Sequence, residues 1–444
     1  MNLAIRFMAQ VMEKIFYLVF IVPFKNSDQF SRLYYYNLKF FQLILFIGLI
    51  MSFSSKSAAT ETFWWGVSTS PYQTEDVALE SDNEFYFKTD WDVFYDLGKL
   101  KYPKKNGVFS YTEYQRDIEK IKELGVSHYR FGIEWARIEP SPGVYNKKAL
   151  EHYKKIVTEL KKNHITPIIC LWHWTFPSWG YPIDNSNSFG WMNPKIKERW
   201  PKFVRLIVNA FMDDVEYIAP QNEPNAQGLA GFFLGIFPPG EKHSLSLYRT
   251  YIDEAANAFI VSSKIIKELA PKIKVISIQN MIHWKKTWWD IFGYFYKLGN
   301  EFNFKHLDLI QDHIDILGFN YYYSLNASPF NNPRVIDPNG LENIIRSLAS
   351  KYHKPLLLTE NGWPDGIGKI KNDYFASHIK IVNKMRTEVN LIGYFYWSLV
   401  DNFEWSSGYQ EKYGLYSYSE KDKSLKPYEV ATSFKKAIFE DRNK

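Results

Sequence analysis

Two glutamates in this sequence each end an apolar run and precede an abrupt change in chain direction. Glu360 closes the stretch "PLLLTE" and is followed by Asn-Gly, whereas Glu223 closes "VEYIAPQNE" and is followed by proline. A single carboxylate in such a place is equally consistent with the first solvated residue after a strand. Two carboxylates held in different environments can divide acid and base work, because one stays protonated while the other ionises. The secondary-structure elements that carry the two glutamates distinguish solvated residues after a strand from a catalytic pair.

Eight short apolar or β-branched runs recur from Phe63 onward, and a helix-like stretch follows each run. The runs are Phe63–Thr69, Val126–Ile133, Ile165–His173, Val215–Glu223, Lys274–Asn280, Ile314–Tyr322, Pro355–Asn361 and Leu391–Ser398. The intervening "YTEYQRDIEKIKELG" and "ALEHYKKIVTELKKN" have apolar residues at i, i+3 and i+4, and they end at Gly125 and Asn163, residue types that favour the end of a helix. Strand alternating with helix eight times predicts an α/β protein, a single (β/α)8 TIM barrel.

Polar or aromatic residues stand at the end of every predicted strand. In chain order they are Gln73, Arg130, His173, Asn222 with Glu223, Asn280, Asn320 with Tyr322, Glu360, and Trp397. In such barrels the C-terminal strand ends and their loops build the active site. Glu223 and Glu360 would then point into one bowl, as the pair that glycoside hydrolysis requires. Arg130 would keep Glu360 ionised by its charge, and Tyr322 would donate a hydrogen bond to it.

Six motifs in order resemble glycoside hydrolase family 1, the β-glucosidase-type retaining enzymes. They are "FWWGVSTSPYQTE", "YRFGIEWARIEPSPGVYN", "LWHWTFPSW", "QNEP", "TENG" and "YFYWSLVDNFEWSSGYQEKYGL". The resemblance implies that Glu223 is the general acid/base and Glu360 the nucleophile. It also implies that the residues holding the first sugar are Gln73, His173, Asn222, Tyr322, Trp397, Glu404 and Trp405.

The chemistry of these residue types suits a neutral sugar. Amide and carboxylate groups can pair with vicinal hydroxyls, and the faces of Trp397 and Trp405 suit the apolar side of a pyranose. A carboxylate at Glu404 would repel a phosphate, which favours an unphosphorylated β-glycoside or oligosaccharide as substrate. The expected activity is that of a retaining exo-acting β-glycosidase, first of all a β-glucosidase. The sequence leaves open the preference for gluco, galacto or fuco sugars, the natural aglycone, and the choice between hydrolysis and transglycosylation. The segment between Tyr322 and Glu360 is short for this family, so the loops over the outer pocket are expected to be short, and the leaving-group preference stays open as well.

Two readings without this catalysis remain as alternatives. A glycan-binding barrel without activity would share the fold, since fold does not fix function. Such a protein would be expected to lack one carboxylate, and this chain has both Glu223 and Glu360. A purely structural, membrane-anchored barrel would leave the strand-end residues unexplained.

Residues 1–60 read as a leader that precedes the barrel domain at 61–444. The segment 40–53, "FFQLILFIGLIMSF", is apolar, follows Lys39 and precedes "SSKSAAT". This pattern is typical of a secretory signal, with cleavage after about Ala59 and export to the periplasm or the exterior. The second alternative is an uncleaved membrane anchor, although a span usually takes about 20 apolar residues.

The composition excludes other classes. The net charge is +6, but six basic and two acidic residues of the total lie within 1–60. The barrel region is therefore nearly neutral and has no basic stripe, which argues against nucleic acid. The single cysteine, Cys170, lies in "TPIICLWH" and is expected to be a small buried apolar residue. We expect no metal and no cofactor, and the sequence makes no prediction of oligomeric state.

Overall fold

The computed structural model describes residues 62–77, 86–182, 185–328 and 333–443. The leader predicted for residues 1–60, its signal or anchor segment and its cleavage site lie outside these residues. Within the described part of the chain, no helix combines the length and the apolar character needed to cross a membrane.

Eight parallel strands close into a barrel in chain order, which confirms the predicted architecture. Closure is completed by β1, which pairs with both β2 and β8. The strands are β1 Trp64–Ser68, β2 His128–Gly132, β3 Thr166–Cys170, β4 Tyr217–Ala219, β5 Lys274–Lys285, β6 Ile316–Asn326, β7 Leu356–Asn361 and β8 Leu391–Trp397. A separate antiparallel pair near the C-terminus consists of β9 Tyr416–Tyr418 and β10 Leu425–Pro427.

Helices and helical turns connect the strands. The α-helices are α1 Pro71–Thr74, α2 Asp90–Asp96, α3 Tyr114–Leu124, α4 Trp135–Ile138, α5 Lys147–Lys162, α6 Pro194–Phe211, α7 Pro224–Gly228, α8 Leu245–Leu269, α9 Tyr294–Ile310, α10 Pro338–Tyr352, α11 Lys369–Met385 and α12 Glu429–Arg442. Helix α3 ends at the predicted stop, where Gly125 has a φ of 77°. That left-handed conformation costs glycine little because it has no Cβ. Helix α5 likewise ends at Asn163.

Two apolar layers hold the barrel together. Inside it, a small cluster that includes Trp64, Ile168, Cys170, Ile276 and Phe395 fills the space between the strands. A much larger cluster packs the strands against the surrounding helices. The Cys170 thiol is buried and free, and burial raises its pKa to about 11, so it acts as the apolar residue that the sequence predicts.

Strand β4 is shorter than the predicted run Val215–Glu223, whereas β5 and β6 are longer than predicted at their C-terminal ends. Both strands continue past the predicted ends at Asn280 and Tyr322. They stay paired as far as Lys285 and Asn326, with a register shift between Met281 and His283. The extra pairing provides partners for backbone N–H and C=O groups, which in a loop would need side chains or water as partners. The two strands therefore form a two-stranded extension beyond the barrel itself, which we call the β5–β6 extension.

Candidate active site

Most of the predicted strand-end residues line a cavity of about 390 Å³. Both glutamates line it, Glu223 just after β4 and Glu360 near the end of β7. Other residues of its wall include His173, Trp174, Asn222, Asn280, Tyr322, Tyr323, Arg334, Trp397, Glu404, Trp405, Glu411 and Tyr413. Parallel strands bring their C-terminal ends to one edge of the barrel, which is why residues far apart in sequence meet here.

Glu360 is held by a cation and a phenol. An Arg130 guanidinium nitrogen donates to Oε1 of Glu360, and the Tyr322 hydroxyl donates to Oε2. Burial raises the pKa of Glu360, while the Arg130 charge and these hydrogen bonds act to lower it. One carboxylate oxygen accepts a charge-assisted hydrogen bond and the other accepts a phenolic one. These bonds stabilise the ionised form of Glu360 and oppose the effect of burial.

Glu223 lacks a cation of its own. Its Oε1 accepts hydrogen bonds from Asn280 Nδ2 at 3.0 Å and from Asn320 Nδ2 at 2.6 Å. Burial, and then repulsion by the Glu360 charge, raise the pKa of Glu223 to about 8, although both amides act to lower it. The Glu223 carboxyl is therefore protonated at neutral pH, whereas Arg130 stabilises the ionised form of Glu360 across the cavity.

The Glu223 backbone places this carboxyl at a turn. The residue has φ 43° and ψ 55°, in the left-handed region, and caps α7, which starts with Pro224. Its amide donates to the Ile278 carbonyl of β5 at 2.9 Å. A non-glycine residue in that region is strained, and such positions cluster at functional sites.

Asn222 connects the two carboxylate environments. Its Oδ1 accepts from Arg130 Nη1 at 3.2 Å and from Asn320 Nδ2 at 3.5 Å. Its Nδ2 lies 3.1 Å from His173 Nε2. An amide nitrogen can only donate, so His173 Nε2 accepts this bond and Nδ1 carries the ring proton. Burial and then the Arg130 charge lower the pKa of His173 well below its usual value, so the ring is neutral.

Aromatic rings form one wall of the cavity. The His173 ring stacks against Trp397 with centroids 5.6 Å apart. Trp405 stacks on Tyr72 at 5.7 Å and packs against Trp174 at 5.0 Å. These contacts fix ring orientation, which suits stacking against the apolar face of a sugar.

Three buried polar atoms on the cavity wall have no hydrogen-bond partner within the described residues. They are His173 Nδ1, Trp174 Nε1 and Glu404 Oε1. Buried polar groups are nearly always satisfied, by protein, water or ligand. Burial, followed by repulsion from Glu411, raises the pKa of Glu404 well above its usual value. Donors and acceptors of this kind fit a ligand with several hydroxyl groups.

Gln73 is the one predicted sugar-binding residue placed away from this wall. It is fully buried. Its Oε1 accepts from Ser70 at 2.7 Å, and its Nε2 donates to Asn402 Oδ1 at 3.0 Å and to the Phe403 carbonyl at 2.7 Å. These bonds tie the strand β1 side of the barrel to the loop that carries Glu404. Sugar contact by Gln73 stays a prediction.

The sequence predicts neither the hydrogen-bond partners of two strand-end residues nor the place of Arg334 in the site. Asn280 and Asn320 are strand-end residues in the sequence, but nothing there indicated that both would bond Glu223. Arg334, which pairs with Glu411 at 2.5 Å and donates to the Tyr413 hydroxyl at 3.2 Å, also lines the cavity. Arg334 lies in the loop before α10 and not at the end of a predicted strand, so the sequence pattern does not place it in the cavity wall.

The raised pKa of Glu223 predicts a pH-dependent stability difference. Since its folded pKa of about 8 exceeds its ordinary value, this group stabilises the fold at low pH. That contribution is lost as pH rises through about 8. The Glu223→Gln variant should therefore melt about 2–5 °C above the wild type at pH 9 and close to it at pH 5. Calorimetry at both values measures this, with Glu268→Gln, an exposed surface site, as the control. Equal differences at both pH values would contradict it.

Comparison with known proteins gives the family. The model of glycosyl hydrolase family 1 matches residues 55–288 and 326–441. The chain is 28% identical over 418 residues to "Beta-glucosidase A" of Thermotoga maritima, covering 80% of this chain and 92% of that protein. It is 25% identical to the human "Cytosolic beta-glucosidase" over 469 residues, covering 85% and 97%.

Solved structures share the fold. A β-glycosidase from Pyrococcus horikoshii superimposes with a TM-score of 0.75 at 24% identity, covering 85% of this chain and 94% of that one. A β-glucosidase from Thermotoga maritima in complex with deoxynojirimycin gives 0.73 at 24%, covering 85% and 98%. This chain belongs to glycosyl hydrolase family 1, and it is an O-glycosyl hydrolase.

Proposed function

We propose that this protein is a retaining, exo-acting β-glucosidase that hydrolyses unphosphorylated β-glycosides, with Glu360 as nucleophile and Glu223 as acid/base. The observation that carries this is the unequal environment of the two carboxylates. Arg130 and Tyr322 stabilise the charge of Glu360, whereas Glu223 has two amide donors and a pKa of about 8. Relatives named β-glucosidases in bacteria, plants and humans support the choice of sugar.

The first half of the reaction forms a glycosyl-enzyme. A Glu360 oxygen attacks the anomeric carbon from one face of the sugar. The bond from that carbon to the leaving oxygen breaks, and Glu223 gives this oxygen its proton. Glu360 is now an ester and Glu223 is a carboxylate. Arg130 and Tyr322 hold the attacking carboxylate in position. This lowers the entropic cost of orienting the carboxylate in the transition state.

The second half reverses these roles. Once esterified, Glu360 has no charge, so the repulsion that helps to raise the pKa of Glu223 is gone. Glu223 can then remain ionised and accept a proton from water, whose oxygen bonds to the anomeric carbon. The ester bond breaks, Glu360 recovers its charge, and the sugar leaves with its original configuration.

The sugar would occupy the aromatic and polar wall. Trp397 and Trp405 would contact its apolar face, while His173 and Glu404 would meet its hydroxyl groups. Glu404 would also disfavour a phosphorylated sugar, because the phosphate charge would be buried beside a carboxyl group instead of a cation. We further propose that the leader 1–60 directs export with cleavage after about Ala59, as its pattern predicts.

A panel of 4-nitrophenyl β-glycosides tests the proposed function. We expect the glucoside to be hydrolysed with the highest kcat/KM, and glucose 6-phosphate glycosides to react at least about 100-fold more slowly because a matched polar site discriminates strongly. Proton NMR during hydrolysis should show the β-anomer of glucose first. The α-anomer first would contradict retention. Transfer to an added alcohol without free glucose would indicate a transglycosidase, and binding without turnover would indicate a glycan-binding barrel.

A further inference from the structure

A short aromatic segment stands out on the surface. The residues 286–296, "KTWWDIFGYFY", are here called the aromatic loop. Four of its large apolar side chains are mostly in solvent: Trp288 86% exposed, Ile291 80%, Phe292 87% and Tyr294 58%. A single exposed apolar side chain is ordinary, whereas several in one short segment mark an interaction site.

The aromatic loop projects from the side of the barrel that holds the active site. It begins where β5 ends, at Lys285, after the β5–β6 extension. Earlier in the same strand, Asn280 reaches Glu223. A surface that bound this loop would thus lie on the side of the molecule where the sugar cavity opens.

Internal hydrogen bonds hold the aromatic loop in shape. The Asp290 carboxylate accepts from the backbone amides of Phe295 at 3.3 Å and Tyr296 at 2.9 Å. The Thr287 hydroxyl donates to the Ala327 carbonyl at 2.9 Å, which ties the loop to the chain after β6. The exposed side chains therefore lie on a hydrogen-bonded turn that continues into helix α9.

The charge around the aromatic side chains is positive. Lys286 and Lys297 flank them in the sequence, one at each end of the loop. Asp290 is the only acidic residue between these lysines in the sequence, and its carboxylate is engaged by backbone amides. Tryptophan and tyrosine favour the interface between lipid and water, isoleucine and phenylalanine enter the apolar region, and lysines attract anionic headgroups.

We propose that the aromatic loop docks this enzyme onto the surface of an anionic lipid bilayer. A symmetric contact between two copies would place the lysines of one loop against those of the other, which like-charge repulsion disfavours. The family match stops at residue 288 and resumes at 326, so most of the loop lies outside the segments that carry the shared hydrolase pattern. Docking would hold the cavity near the bilayer.

A fluorophore placed on the loop tests this directly in the full-length protein. Cys170 is the only cysteine and is buried, so a cysteine introduced at the surface can be labelled selectively. We would attach an environment-sensitive NBD group in the variant Phe292→Cys and, as the matched control, in Phe439→Cys on helix α12, another exposed phenylalanine. Both proteins carry the same leader, so a difference between them belongs to the loop.

Vesicles of phosphatidylcholine with phosphatidylserine should raise the emission of the label on the loop at least about two-fold and shift it to the blue, because the group leaves water for the apolar region of the bilayer. The label on helix α12 should not respond. Vesicles of phosphatidylcholine alone should give a weaker response. In the variants Lys286→Gln and Lys297→Gln, each combined with the label, partitioning should weaken about five-fold, since one lysine near an anionic surface contributes about 1 kcal/mol.

Several results would overturn the proposal. An unchanged label on the loop, or equal responses from the loop and helix α12, would show that the loop does not enter the bilayer. A blue-shifted emission without vesicles at every protein concentration would mean that part of the same chain covers the loop. A shift that grows with protein concentration alone would assign the loop to a second copy. A response to oligosaccharides instead of vesicles would assign it to glycan binding.

Discussion

Replacing Glu360 by glutamine is expected to lower kcat/KM for 4-nitrophenyl β-glucoside on the order of 10⁴-fold or more, because the amide cannot form the glycosyl ester. A good leaving group should not rescue this variant, since attack on the anomeric carbon is itself lost. The initial rate of nitrophenol release at matched enzyme concentration measures the effect. Activity within about tenfold of the wild type would remove Glu360 from the role of nucleophile.

Two controls separate lost chemistry from lost structure. Glu360→Gln leaves Arg130 buried without its counter-charge, which is expected to destabilise the fold by about 3–5 kcal/mol. A non-hydrolysable, sulfur-linked glucoside should still bind the variant if the cavity is intact. Glu268→Gln makes the same chemical change at an exposed ion pair with Arg205 and should keep wild-type activity.

The covalent intermediate gives an independent measurement. A 2-deoxy-2-fluoro-β-glucoside with a good leaving group slows both half-reactions, because the fluorine destabilises the cationic transition state. Intact mass spectrometry of the wild type should show one added sugar, and peptide mapping should place it on Glu360. The Glu360→Gln variant should gain no mass. Sugar on another residue would contradict the assignment.

Much of this fold follows from pattern alone. The eight strands could be predicted because apolar runs of strand length alternate with amphipathic helix patterns, and the closed parallel barrel follows from that alternation. The ends of β5 and β6 could not. Their continuation depends on pairing between residues such as Trp284 and Leu325, and a sequence period does not report a partner strand.

The site divides in the same way. Glu223, Glu360, Arg130 and Tyr322 stand at strand ends, so the barrel rule brings them together, and Arg130 and Tyr322 donate hydrogen bonds to Glu360. The placement of Gln73 depends on the loop at Asn402, far away in sequence. The exposure of the aromatic loop was also beyond the sequence, since "TWWDIFGYF" is equally typical of a buried core segment.

Glu223→Gln should show a loss of activity that depends on the leaving group. An alkyl glucoside needs a proton on its leaving oxygen, so kcat/KM should fall about 10²–10⁴-fold. A 2,4-dinitrophenyl glucoside leaves without that proton, so its glycosylation rate should fall by less than about tenfold. Comparing kcat/KM for the two substrates gives the result. An equal loss for both would contradict the role of general acid.

A small anion should restore the second half-reaction of this variant. Azide needs no general base, so it can attack the glycosyl ester of Glu360 even though the substituted amide cannot activate water, and the product should be β-glucosyl azide. In the wild type, Glu223 is already present as the base, and azide should have little effect on the rate. Failure of azide to accelerate Glu223→Gln with the dinitrophenyl substrate would argue against base catalysis at this position.

The pH profile connects this prediction to the structure. In the free enzyme Glu223 must be protonated, and its pKa is about 8, so kcat/KM of the wild type should fall as pH rises through that value. Glutamine does not titrate, so the variant should lose this alkaline limb when assayed with the dinitrophenyl glucoside. The acidic limb, where the charge of Glu360 is neutralised, should remain. An alkaline limb that persists in the variant would assign the titration to a group other than Glu223.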